Sequence, residues 1–179
     1  TSRAYQLSST TRPENEGDQR FYSHYYARRL PAEVLLDALA SATGVPDEFD
    51  GYPVGLRAVQ LPEPGVSSYF LTLFGRSDRV TACACERKGE VTLPQLLNLR
   101  NGGELQRQLN ASDGRLATLL KNPDDAAVIE ALYLTSLARQ PSAAERALVK
   151  SALAADARDA VFRDLFWALL NSKEFTFNH

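Results

Sequence analysis

Asn122-Pro123-Asp124-Asp125-Ala126-Ala127-Val128-Ile129-Glu130-Ala131-Leu132-Tyr133-Leu134-Thr135-Ser136-Leu137 reads as a helix with a defined start. A short acidic side chain at the edge of an apolar run offers an acceptor to the unpaired N–H groups of a first turn. Val128, Ile129, Leu132, Tyr133 and Leu137 then recur at helical spacing and form one apolar stripe. Ser142 with Glu145 three positions later makes a capping box, opening a second helix to about Ala155. Val161, Phe162, Leu165, Phe166, Leus 169 and 170 predict one long amphipathic helix from Asp156 to Phe175, with Trp167 on its core side. Three consecutive helices with short connections predict an antiparallel three-helix unit over residues 122–179.

Moving upstream, Pro31 suits a first helical position, and Val34, Leu35, Ala38, Leu39 and Ala42 follow at helical spacing to a stop at Gly44. Ser67 or Ser68 caps a short helix through Phe74, ended by Gly75, and short helices are expected over Glu104–Leu109 and Gly114–Leu120. Thr92 and Gln95 form another capping box before Leu93, Leu96, Leu97 and Leu99. Between Val45 and Gly65 lie four prolines and three glycines, so regular structure is not expected there. Arg57–Leu61 and Val80–Cys85 read as short extended pieces within an irregular central insertion, residues 45–91. Ala4–Leu7 reads as a last helical turn and Ser8–Gln19 as a loop, followed by the aromatic cluster Phe21, Tyr22, Tyr25 and Tyr26. The fold class is mainly α: one helical domain over residues 1–179, a bundle with an irregular central segment that has room for a short extended pair.

Composition narrows the function classes. The 179 residues are 44% hydrophobic and 23% charged, the balance of an ordinary globular domain. Net charge is −2 with acids and bases interspersed, which leaves no basic footprint for nucleic acid and no polybasic membrane surface. No apolar run approaches the roughly 20 residues of a transmembrane helix. The absence of Met and of a signal-like start suggests that the chain begins inside a longer protein.

Several strings occur in a fixed order: Arg28-Arg29-Leu30-Pro31-Ala32-Glu33, Arg57-Ala58-Val59-Gln60-Leu61-Pro62, Ser68-Tyr69-Phe70-Leu71 and Phe74-Gly75-Arg76. Cys83-Ala84-Cys85-Glu86-Arg87, Thr92-Leu93-Pro94-Gln95 and Trp167-Ala168-Leu169-Leu170-Asn171-Ser172-Lys173-Glu174-Phe175 complete the set. Together they resemble the planctomycete-specific C-terminal domain of unknown function, number fifteen-fifty-three of that series, found in cytochrome-c-domain-containing surface proteins. The resemblance implies an exported, periplasmic or cell-surface protein with haem c carried elsewhere in the parent. It brings no catalytic residues. No Cys-x-x-Cys-His occurs here, so no haem is expected in this segment.

Cys83 and Cys85 would share one face of an extended strand, and His24 could join them in a metal or redox site. Buried structural thiols are the plainer reading. Arg57, Gln60, Arg76, Asp78, Arg79, Glu86 and Arg87 are candidate ligand-binding residues, with structural ion pairing the plainer reading and an anionic ligand such as a sulfated or carboxylated sugar the alternative. Asp47, Glu48 and Asp50 offer oxygen ligands without EF-hand spacing, so a solvated acidic loop is the plainer reading there too. No nucleophile elbow, phosphate loop or His-Glu-x-x-His helix is present. The expected function is a non-catalytic interaction or scaffold module that contacts upstream domains of the same polypeptide or a polysaccharide. The alternative is a metal- or thiol-dependent enzyme domain of polysaccharide breakdown or redox chemistry. Neither nucleic-acid binding nor membrane insertion is expected.

Overall fold

The computed structural model describes residues 2–76 and 103–178. Its helices are α1 (Ala32–Thr43), α2 (Tyr69–Leu73), α3 (Gly103–Leu109), α4 (Arg115–Leu119), α5 (Asp125–Leu137), α6 (Ala143–Ala155), α7 (Arg158–Leu170) and α8 (Lys173–Thr176). Strands β1 (Arg28–Arg29) and β2 (Phe177–Asn178) pair antiparallel, Arg28 opposite Asn178 and Arg29 opposite Phe177. The chain is therefore mainly α, with one short extended pair among the described residues.

Helix α7 lies at the centre, in contact with α3, α4, α5, α6 and α8. Val161, Phe162, Phe166, Leu169 and Leu170 are all buried on it, and they share one core cluster with Val128, Ile129 and Leu132 of α5. Leu35, Leu36 and Leu39 of α1 and Leu105 and Leu109 of α3 join the same cluster. Residues 45–74 do not form a separate unit, since Phe49, Leu61, Phe70, Leu71 and Phe74 enter that core as well.

The expected starts are made by the predicted side chains. The Asp124 carboxylate accepts the N–H groups of Ala126 and Ala127. Ser142 Oγ accepts from Glu145 N, while a Glu145 carboxylate oxygen accepts from Ser142 N at 2.7 Å. Ser68 Oγ accepts from Leu71 N. Gly44 ends α1 at φ +71°, a left-handed conformation that glycine adopts without a Cβ penalty.

Three arginines tie the elements together. Arg139 reaches Glu174 of α8 through Nε at 2.6 Å and Glu145 of α6 through both terminal nitrogens at 2.8 and 2.9 Å. Its guanidinium also lies over the Tyr133 ring. Arg158 donates from Nε to Asp125 at 2.7 Å and from its terminal nitrogens to the carbonyls of Leu120 and Asn122. Arg115 donates to the Ala42 and Ser41 carbonyls, closing the last turn of α1. A planar guanidinium can satisfy several acceptors at once, which suits it to joining helix ends.

Three expectations change. Arg57–Leu61 is not a strand: Ala58–Gln60 forms a 3-10 turn. The Asp37 carboxylate takes Ala58 N at 2.6 Å and also accepts from Val59 N, while Gln60 Oε1 takes Arg57 N. Side-chain acceptors thus occupy the donors a strand would have offered. The predicted helix Asp156–Phe175 is broken at Asn171–Ser172, because Ser172 Oγ accepts from Phe175 N and starts α8. Ala4–Leu7 is a single 3-10 turn, Arg3–Gln6, that buries nothing. The Thr92–Gln95 box, its helix and the Val80–Cys85 extended piece lie outside the described residues.

Ala138 closes α5 in a left-handed conformation at φ +53°, where a Cβ costs roughly 1–2 kcal/mol. Ala138→Gly is expected to stabilise the protein by up to about 1 kcal/mol, the cost relieved exceeding the entropy glycine adds to the unfolded chain. Urea unfolding checks this through a raised midpoint at unchanged slope.

Candidate functional site

Between Val45 and Asp50 the chain has no regular secondary structure, and burial alternates along it. Val45, Asp47 and Phe49 face inward, while Pro46, Glu48 and Asp50 face outward. A period of two sends neighbouring side chains to opposite sides. The three carboxylates at 47, 48 and 50 therefore do not converge as a calcium turn would need. No group of three His, Cys, Asp or Glu side chains that could hold a metal occurs among the described residues.

Asp47 instead meets helix α3. Gln108 is 2% exposed, and its Nε2 donates to Asp47 Oδ1 at 3.2 Å and to Glu104 Oε1 at 3.3 Å. Arg107 donates to the same Glu104 oxygen. One buried carboxamide thus bridges two carboxyl groups, of which Glu104 pairs directly with Arg107. Gln108 Oε1 is buried and has no hydrogen-bond partner. Turning the amide over would set that oxygen against both carboxylates, so the observed orientation is the favourable one.

The Asp47 carboxyl is pushed up to about 7, first by burial and next by the charge of Glu104, with Arg107 opposing. A hydrogen bond with Glu104 and the charge of Asp37 raise it further. A carboxyl group buried beside a second carboxylate ionises at a cost, so Asp47 keeps its proton toward neutrality.

The pair opens on a cleft of about 610 Å³ lined by Asp47, Glu48, Phe49, Ser67, Tyr69 and Arg107, among others. Leu36 of α1 and Phe70 of α2 also line it. Tyr69 is 73% exposed, so the cleft offers an aromatic side chain beside charged donors and acceptors.

The residues singled out in the sequence do not assemble there. Arg57 and Gln60 bracket the 3-10 turn that Asp37 anchors. Arg76 binds the carbonyls of Pro64 and Val66, so it holds the irregular segment in place through backbone oxygens and not through carboxylates. His24 is buried, with its ring edge-on to Tyr26. Around it Tyr22 stacks on Tyr26 and Tyr5 meets Tyr25, so the aromatic cluster packs on itself, although Phe21 stays exposed. Asp78, Arg79, Cys83, Cys85, Glu86 and Arg87 lie outside the described residues.

Glu104, Arg107 and Gln108 went unnoticed in the sequence. Positions 104, 107 and 108 lie on one face of a helix, and the period-two burial before them was the available signal for Asp47.

The fold and the cleft define a helical domain in which two neighbouring carboxyl groups, Asp47 and Glu104, line a cleft. The chain belongs to the PSD1 family, described as a protein of unknown function (DUF1553), whose profile matches residues 1–153. No curated protein and no solved structure matches the chain. No helix among the described residues is long and apolar enough to cross a membrane.

Because the folded Asp47 value of about 7 lies above the ordinary 3.8, the native state binds an extra proton between them. The stability linked to this group is complete at low pH and is lost as pH rises through about 7. Asp47→Asn keeps the size and removes that loss. Its melting temperature is expected to gain on the parent's between about pH 5 and about pH 8, then hold steady. Thermal unfolding across that range checks the sign.

Proposed function

We propose that the domain is a non-catalytic interaction module that holds a polysaccharide in the Asp47–Tyr69 cleft. Its setting would be a multidomain exported protein of planctomycete type, with haem c on another segment and neighbouring domains of the polypeptide as further contacts. The observation that carries this reading is the composition of the cleft: an exposed tyrosine face beside carboxylates, hydroxyls and a guanidinium. Sugars present apolar C–H faces flanked by hydroxyl pairs, and such a lining answers both. The other arginine clusters of the described residues join helix ends and backbone carbonyls, whereas this cleft sets polar groups beside open space.

Calorimetric titration against a panel of soluble polysaccharide fragments tests the reading. One or more fragments should bind, and Tyr69→Ala should weaken that binding roughly tenfold, or about 1.4 kcal/mol, with the melting temperature unchanged. Release of shortened fragments from any member of the panel would instead establish an enzyme, and failure to bind any would remove the glycan from the proposal.

A further inference from the structure

We draw no further inference here: the strongest candidate, the aromatic tip at Phe21, 82% exposed on a loop whose Arg20, Phe21 and Ser23 N–H groups donate to the Asp18 carboxylate, is an unpartnered apolar surface, and nothing in the structure shows what covers it.

Discussion

Everything in this structure hangs on the burial of α7. Phe162 and Phe166 have no exposed surface, and the helix that carries them touches five others. Such a helix cannot move without opening the core, so each element packed on it inherits a fixed position. Helix α3 is one of these, and α3 carries Glu104, Arg107 and Gln108. Helix α1 packs on α3 and carries Leu36 and Asp37, which face the cleft and the 3-10 turn respectively. The position of the acid pair therefore follows from apolar packing at some remove from it.

Against that rigid background the charges fall into two groups. Arg115, Arg139 and Arg158 each satisfy several acceptors from different elements, and these contacts join helix ends that apolar packing alone would leave frayed. Glu145 shows the effect on a titrating group, since Arg139 and the Ser142 backbone hold its carboxyl down at about 2. Asp47 is displaced in the opposite sense. Burial removes its water, Glu104 adds a like charge, and the nearest guanidinium is already engaged. One acidic residue stabilises the fold as an anion and the other is stabilised by the fold as a neutral acid.

The sequence was legible where structure is local. Capping side chains and helical spacing located α1, α2, α5 and α6 closely, because each signal acts within a turn or two of the residue that carries it. Their C-terminal stops at Gly44 and Gly75 were equally readable from glycine. What escaped were features made by residues far apart. Arg28–Arg29 pairs with Phe177–Asn178, and nothing near either segment announces the other. The Ala58–Gln60 turn depends on Asp37, and the break at Ser172 replaced a periodic pattern that continued through it. The cleft was hidden for the same reason. Asp47 was visible as an acidic residue, but only the approach of α3 turns it into half of a buried pair. Family membership is established over residues 1–153, while the helix that fixes the site, α7, lies beyond that span.

The central claim is that Asp47 is a buried acid held protonated toward neutrality by burial and by the charge of Glu104, and its ionisation can be observed directly. Carboxyl carbon chemical shifts of the full chain, labelled at aspartate and assigned by comparison with Asp47→Asn, should be followed from about pH 3 to about pH 9. The account predicts a midpoint of about 7 for Asp47. A midpoint in the ordinary range near 4 would place Asp47 in water, with no buried pair and no reason to assign the cleft a function.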